Sequence, residues 1–206
     1  ANELKRLLDA EGIPVVMTRT SDRYIDLDSR SRLANRHKNH LFVSIHYNMG
    51  RSTSHGIETY ALTPQGAAST GSDGKPSSRN DIRYPGNDYG AESLLLANMV
   101  QRELCKHHSP AGDRGVKWAR FEVLRGTQMP AILVEGGFLS HSVDAHLIAT
   151  EGYRNKVAAA AARGIRAFMA MLADEPAATT DMQIAAAPAP GATTPPAPQP
   201  HEKPSA

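Results

Sequence analysis

His46 ends an apolar run and is followed by polar and small residues. The run is Leu-Phe-Val-Ser-Ile-His at residues 41–46, and Tyr-Asn-Met-Gly follows it. A neutral imidazole at the end of a strand, opening into a cleft, is a good ligand for a divalent metal. A histidine that hydrogen-bonds at a sheet edge fits the same pattern, so both interpretations remain open at this point.

Glu135 follows four apolar residues in the segment Ala-Ile-Leu-Val-Glu-Gly-Gly-Phe, residues 131–138. A carboxylate in such a place is costly to bury unless it is paired or bound. Partial desolvation would raise its pKa toward that of a useful general base. The two glycines after it leave room for a close approach of backbone or substrate. Alternatively, Glu135 caps the next element or pairs with an arginine such as Arg125.

Other residues of suitable type carry weaker signals. Cys105 lies among helical leucines, where packing is expected rather than nucleophilic chemistry. His55 begins a predicted strand, where we expect a role in a turn. Arg19, Asp22 and Arg30 form a polar group that we interpret as salt-bridged scaffolding. The sequence contains no H-E-x-x-H, C-x-x-C, P-loop or G-x-S-x-G pattern.

The elements that must position these side chains alternate between helical and strand patterns. Apolar spacing predicts a helix near the start of the chain, one capped by Asp26 that ends near Lys38, one at 92–107, a short one capped by Ser142 and a last one through Leu172. Short apolar runs predict strands at 15–17, 41–46, 57–62, 121–124 and 131–135.

This alternation predicts an α/β fold with a mixed, largely parallel sheet and helices on both faces. Binding sites in such sheets lie beyond the carboxyl ends of the strands. His46 and Glu135 each close a predicted strand, so the two side chains are expected to meet at one edge of the sheet.

Charge and composition limit the classes of function. The chain has 206 residues, with 23 basic and 21 acidic residues, and this balance gives no electrostatic case for binding nucleic acid. No apolar run approaches the roughly 20 residues that span a bilayer, so no membrane span is expected. One cysteine is present, which leaves no intrachain disulfide.

Two segments differ from the rest. Residues 175–206 hold eight of the 14 prolines, among many alanines and threonines, and are predicted to be a disordered tail or linker behind a domain at 1–174. Residues 63–90 are rich in Gly, Ser, Pro, Asn and Asp and are too long for an ordinary connection. Both a flap bordering the site and a disordered insert fit this stretch, and we favour the flap.

Several segments together resemble one enzyme family, the zinc-dependent N-acetylmuramoyl-L-alanine amidases with a mixed α/β sheet. The segments that match, in the family's order, are TRTSDRYIDLDSRSRLAN (18–35), LFVSIHYN (41–48), HGIETYAL (55–62), RGVKWARFEVLR (114–125) and MPAILVEGGFLSH (129–141). They are spread over most of residues 1–174. The pairing of SIHYN with VEGGF at this spacing is the strongest part of the resemblance.

The resemblance implies a zinc ion held by two histidines and a glutamate, with a second glutamate serving catalysis. His46 matches a zinc-binding histidine of the family, and Glu135 matches its catalytic glutamate. The substrate implied is peptidoglycan, cleaved between N-acetylmuramic acid and L-alanine by a zinc-activated water with Glu135 as the base. A periplasmic or extracellular location and a regulatory activator protein are further expectations.

The family's other zinc histidine lies in a Gly-His-Gly-Gly segment, and its zinc glutamate lies just before the helix with which this chain opens. Neither segment is in the sequence, and Glu3 is not assigned as a ligand. We therefore expect a chain truncated at its N-terminus, without the family's first strand and inactive by itself. Two alternatives remain, a zinc peptidase acting on the stem peptide and a non-catalytic module that binds the cell wall.

Overall fold

The computed structural model describes residues 1–37, 40–70, 77–107 and 112–174. Within them, four strands form one sheet in the order β1-β4-β2-β3. Their bounds are β1 Phe42–Asn48, β2 Ile57–Leu62, β3 Asp113–Ala119 and β4 Ala131–Phe138. β1 pairs with β4 in parallel, β2 pairs with β3 in parallel, and β2 pairs with β4 antiparallel. The predicted mixed, largely parallel sheet is confirmed.

Helices lie on both faces of this sheet, as the sequence predicts. They are α1 Asn2–Asp9, α2 Leu27–Ala34, α3 Gly90–His107, α4 Glu122–Gly126, α5 Ser142–Ala149 and α6 Glu151–Asp174. A 3-10 helix at Pro85–Tyr89 precedes α3.

Alternation along β4 divides the core into two parts. Ile132 and Val134 point to the face covered by α1, α3 and α6, and they belong to the larger apolar cluster. Ala131 and Leu133 point to the opposite face, covered by α2 and α4, and belong to a smaller cluster. Because successive strand residues alternate in direction, Glu135 shares the face of Leu133. The smaller apolar cluster reaches Leu133 and no further along β4, so the polar site begins where that cluster ends.

Two predicted strands are wrong. Residues 15–17 belong to no strand of the sheet, and Val16 is 54% exposed. Residues 121–124 lie at the start of α4, where Val123 and Leu124 are buried in the smaller cluster. The third strand is instead Asp113–Ala119, directly before it. The run Phe-Glu-Val-Leu at 121–124 is too short to distinguish a helix from a strand by its pattern. Packing against α2 favours the helix.

Helix ends differ in detail from the prediction. Asp26 does cap α2, since its side chain accepts a hydrogen bond from the backbone N–H of Ser29. The predicted end near Lys38 lies outside the described residues, and α2 itself ends at Ala34. Ser142 is the first residue of α5 rather than its cap. His141 is the N-cap, accepting from the backbone N–H of Asp144.

Residues 67–70, within the 63–90 segment, lie beside the outer strand β3 and the residue that follows it. The backbone N–H of Thr70 donates to the carbonyl of Trp118, and the Thr70 hydroxyl accepts from the Trp118 N–H. The guanidinium of Arg120 donates to Ser69 and to the carbonyl of Ala67. These bonds cover part of an edge strand whose backbone groups would otherwise be unpaired. Residues 71–76 lie outside the described part, and a role as a flap stays a prediction.

The predicted tail at 175–206 also lies outside the described residues, so its boundary stays a prediction. Within the described part of the chain, no helix is both long enough and apolar enough to cross a membrane.

The contact between α3 and α6 depends on a glycine. A Cβ atom at Gly164 would lie 2.5 Å from the Cα of Val100, which is backbone and cannot move aside cheaply. We predict that Gly164→Ala lowers the free energy of unfolding by about 1–3 kcal/mol, as overpacking does. Gly152→Ala on the same helix is the control, since a Cβ there meets nothing within 4 Å. Equal denaturation midpoints for both variants would contradict this close packing.

Candidate active site

His46 and Glu135 are register partners on the neighbouring parallel strands β1 and β4. Partners in register point to the same face of a sheet, so the structure brings the two side chains together. A bulge between His46 and Asn48 then ends the regular pairing of β1. The sequence predicted this meeting at a common edge, and the sheet order produces it by placing β4 directly beside β1.

Glu135 is a buried acid with an unpartnered oxygen. The residue is 8% exposed, and its Oε2 atom has no hydrogen-bond partner. Burial, followed by the nearby negative charge of Glu58, raises the pKa of Glu135 from 4.5 to about 7. Its predicted alternative partner Arg125 lies elsewhere, with its guanidinium 5.3 Å from the ring centroid of Tyr84 and Nη2 3.8 Å from Glu122. An acid with a pKa near neutrality can exchange protons readily at physiological pH.

His46 is held as a neutral imidazole. Its Nε2 lies 2.8 Å from the hydroxyl of Ser44, two residues back on the same face of β1. Burial lowers the pKa of His46, and the positive charges of Arg30 and Arg19 lower it further. The bond to Ser44 occupies one ring nitrogen and leaves Nδ1 for another partner.

Arg19 and Arg30 were predicted to be salt-bridged scaffolding. The prediction of salt bridges is wrong, because both side chains bind backbone carbonyls. The Arg19 guanidinium donates to the backbone carbonyl of Arg23, and Arg30 Nε donates to the carbonyl of Ile25. Among the salt bridges of the described residues, none involves Arg19, Arg30 or Asp22. They fix the loop before α2 through backbone carbonyls, and their charges reach His46.

Glu58 lies beside Glu135, although the sequence patterns did not indicate it as a site residue. This carboxylate is 1% exposed and receives four donors. Its Oε1 accepts from Asn48 Nδ2 at 2.8 Å and from the Tyr60 hydroxyl at 2.6 Å, while its Oε2 accepts from Arg114 Nε at 2.6 Å and from Lys117 Nζ. The signal in the sequence was a glutamate inside an otherwise uncharged strand, in the segment HGIETYAL.

Glu58 and Glu135 are register partners across β2 and β4, yet their environments differ. Burial alone would raise the pKa of Glu58, but hydrogen bonds from Lys117, Tyr60 and Arg114 hold it below its ordinary value. Glu58 is therefore ionised when Glu135 still carries a proton. Two neighbouring acids whose pKa values are pushed apart are typical of sites that transfer protons.

The two glycines after Glu135 make room for packing. A Cβ at Gly136 would lie 2.9 Å from the ring of Tyr47, and Gly137 has a φ of 131° with Asp144 and Ile148 close by. The space predicted for backbone or substrate is thus occupied by side chains of β1 and α5.

Other candidate residues make contacts of their own. Burial raises the pKa of Cys105 to about 12, consistent with the predicted packing role rather than a nucleophile. His55 stacks on His141, with ring centroids 4.9 Å apart. The buried carboxylate of Asp144 accepts from the backbone N–H groups of Gly56 and Phe138, which fixes the turn in which His55 sits.

A family model described as N-acetylmuramoyl-L-alanine amidase matches residues 1–167. The chain belongs to this family. It is 33% identical over 181 residues to the N-acetylmuramoyl-L-alanine amidase CwlM of Bacillus licheniformis, covering 87% of this chain and 60% of that protein. An amidase crystal structure from Clostridium difficile 630 matches with 30% identity and a TM-score of 0.65, covering 82% of this chain and 79% of that one.

A structure of the CwlD amidase from Clostridioides difficile in complex with the GerS lipoprotein shares the fold, at 23% identity and a TM-score of 0.66. It covers 82% of each chain. Against three curated relatives, this chain spans 50 to 66% of their length.

Amidases of the resembled family use zinc, and the described residues do not by themselves complete such a site. A catalytic zinc normally has three protein ligands and one open position. Over residues 1–37, 40–70, 77–107 and 112–174, no group of three or more His, Cys, Asp or Glu side chains is placed to hold a metal. His46, with its second ring nitrogen available, is the candidate ligand among the described residues of this chain.

The unpartnered carboxyl of Glu135 has a consequence for stability. Its pKa is higher in the folded chain than its ordinary value of 4.5, so the folded state binds more protons. Stability from this group is therefore greatest below pH 4.5, falls as the pH rises, and reaches its minimum above about pH 7.

We predict that Glu135→Gln makes the metal-free protein more stable at pH 8 by about 2 kcal/mol, after discounting for partial contact with solvent. At pH 5 the two proteins should differ much less. Denaturant unfolding in EDTA at both pH values measures this. A variant that is less stable than wild type at pH 8 would show that the Glu135 carboxylate has a stabilising partner.

Proposed function

We propose that this protein hydrolyses the amide between N-acetylmuramic acid and L-alanine in peptidoglycan. The observation that carries the proposal is Glu135, a buried acid with a free oxygen and a pKa near neutrality, in register with His46. Family membership supplies the substrate class, because the matching model and the relative from Bacillus licheniformis are both described as N-acetylmuramoyl-L-alanine amidases.

Glu135 is proposed as the general base and then the general acid. In its ionised form it takes a proton from the water that attacks the carbonyl carbon of the scissile amide. It then returns a proton to the nitrogen of L-alanine as the C–N bond breaks. In the metal-free chain, burial and the charge of Glu58 raise the pKa of Glu135 to about 7. A zinc ion bound nearby would lower this pKa and favour the ionised carboxylate that accepts the proton of water.

We propose that the hydrolysis depends on zinc and that His46 is one of the ligands. The neutral state of the imidazole supports this, because a protonated ring cannot coordinate a metal. If Nδ1 held the metal, Nε2–H would donate to the Ser44 hydroxyl 2.8 Å away and orient the ring, as outer partners of ligating histidines usually do. Further ligands would come from outside the described residues, and we expect little turnover from this chain alone.

The location and the partners are also proposals. Peptidoglycan lies outside the cytoplasmic membrane, so we place the protein in the cell envelope, in the periplasm or beyond the cell. A regulatory activator protein remains a proposed partner, and the complex of CwlD with the GerS lipoprotein shows that a protein of this fold assembles with another protein. Nucleic acid is not expected as a partner, given the balanced charge of the chain.

The role of Glu135 predicts a specific loss of turnover. In a longer parent protein that supplies the remaining zinc ligands, Glu135→Gln should lower kcat by at least about 10²-fold, the usual contribution of a general acid or base. Zinc content should stay unchanged. The matched control is Glu92→Gln, an exposed glutamate in the first turn of α3. Turnover is measured by chromatography of digested peptidoglycan. Release of the intact stem peptide distinguishes an amidase from a peptidase that cuts within the stem. Undiminished release of stem peptide by Glu135→Gln would reject the assignment.

The role of His46 predicts a loss of metal. In the same parent, His46→Ala should weaken zinc binding by at least about 10–100-fold. This is the loss of affinity that removal of a ligand's outer partner usually causes, and removal of the ligand itself should cost no less. His146→Ala is the control, because that imidazole is exposed in the last turn of α5. Competition with a zinc chelator measures the affinity. Equal zinc affinity in both variants would exclude His46 as a ligand.

A further inference from the structure

Two segments that carry the family resemblance meet beside Glu135, and the proposed chemistry uses neither. HGIETYAL supplies Glu58, and RGVKWARFEVLR supplies Arg114 and Lys117. Both cations pair with the Oε2 atom of Glu58. We refer to Arg114 and Lys117 as the basic pair.

The basic pair carries more charge than Glu58 neutralises. Two cations and one carboxylate leave a net charge of +1. Within the described residues, Glu58 is the one carboxylate that forms a salt bridge with either cation. Lysine has three donors and arginine five, and the hydrogen bonds to Glu58 and to the carbonyl of His55 use only some of them. The cluster therefore retains both charge and donors for a further anion.

In this cluster the Glu58 carboxylate is buried, and the two cations lie between it and solvent. The Glu58 side chain is 2% exposed, whereas Lys117 is 17% exposed and Arg114 is 35% exposed. The Arg114 guanidinium also lies 5.0 Å from the ring centroid of Phe138, which restrains the plane of its donors. A second anion can therefore reach both cations from the solvent side, and neither cation needs to leave Glu58.

The basic pair is adjacent to the proposed reaction centre. Glu58 is the register partner of Glu135, and Lys117 is in register with Tyr60, two residues along β2 from Glu58. All of these side chains share one face of the sheet. An anion on the basic pair would belong to the molecule whose amide is presented to Glu135.

We propose that the basic pair is a subsite for a carboxylate of the stem peptide. This inference rests on the proposed function, since it assumes that the peptidoglycan stem lies across this face. Two carboxylates share the required chemistry, the free α-carboxylate of the second residue and the C-terminal α-carboxylate of a stem that ends at its third residue. Glu58 is then a positioning residue that fixes both cations without neutralising them fully.

The test uses binding of a muramyl tripeptide, N-acetylmuramoyl-L-alanyl-γ-D-glutamyl-L-lysine. Four forms are compared by calorimetry on the full chain in EDTA, so that no hydrolysis is needed. In the first form of the tripeptide both carboxylates are free. In the second only the glutamyl carboxylate is amidated, in the third only the lysyl carboxylate is amidated, and in the fourth both are amidated. The free form should bind roughly tenfold more tightly than the doubly amidated form, as expected for one charge-assisted contact. The single amidation that removes this preference identifies the carboxylate.

Variants then assign the preference to the basic pair. Lys117→Met should abolish it, and Lys117→Arg should retain most of it. Lys106→Met is the matched control, because Lys106 also pairs with a largely buried glutamate, Glu103, but on α3. Retention of the preference in a folded Lys117→Met protein would overturn the proposal.

A wild-type measurement keeps the proposal testable if Lys117→Met does not fold. High salt should shrink the difference between the free and doubly amidated tripeptides, because the contact is partly exposed and ionic. Equal affinities for these two forms at low salt, or no binding of either, would overturn the subsite. Failure of Glu135→Gln to affect turnover would overturn the hydrolytic proposal and would leave this binding preference unchanged.

Discussion

The site depends on the burial of two glutamates side by side on the two central strands of the sheet, β4 and β2. Glu135 and Glu58 are register partners, and each is less than a tenth exposed. Two buried carboxylates cannot both be ionised cheaply unless one of them is compensated. Four donors stabilise the ionised form of Glu58. Burial of Glu135, together with the negative charge of Glu58, raises the pKa of Glu135 to about 7. The difference between the two acids comes from their partners and not from residue type.

The order of the strands makes this arrangement possible. Because β4 lies between β1 and β2, Glu135 has His46 on one side and Glu58 on the other. The antiparallel pairing of β2 with β4 brings Glu58, near the start of β2, to the carboxyl end of β4. A fully parallel sheet would place the start of β2 at the opposite edge. The single antiparallel pairing among the described strands is therefore what brings a second acid and its two cations to the site.

The two helical layers have different tasks. The layer of α1, α3 and α6 closes around the larger apolar cluster, and the close approach at Gly164 shows how tightly α3 and α6 pack. The layer of α2 and α4 covers a smaller cluster that reaches Leu133, and the polar side chains take over from there. Stability therefore comes mainly from one face of the sheet, and the chemistry is placed on the other.

The sequence by itself determined the fold class, the two site candidates and the family, because those depend on local patterns. Apolar runs that end at His46 and at Glu135 are visible in the sequence, and the rule for strand ends predicts that the two side chains meet. In the structure both strands continue past these residues, β1 to Asn48 and β4 to Phe138. The exact strand set was not determined locally. Residues 121–124 read as a strand but form α4, since a short apolar run carries no period that separates the two.

Only the tertiary structure decided which charges surround Glu135. The charge of Glu58, beside Glu135, is held by four donors from three strands: Asn48, Tyr60, Arg114 and Lys117. These donors lie up to 69 positions apart in the chain, and nothing in their local patterns links them to Glu58. Strand pairing sets their distances, and burial sets the strength of their interactions. A pKa depends on both quantities, so the protonation states of the two glutamates could be derived only once the sheet was assembled.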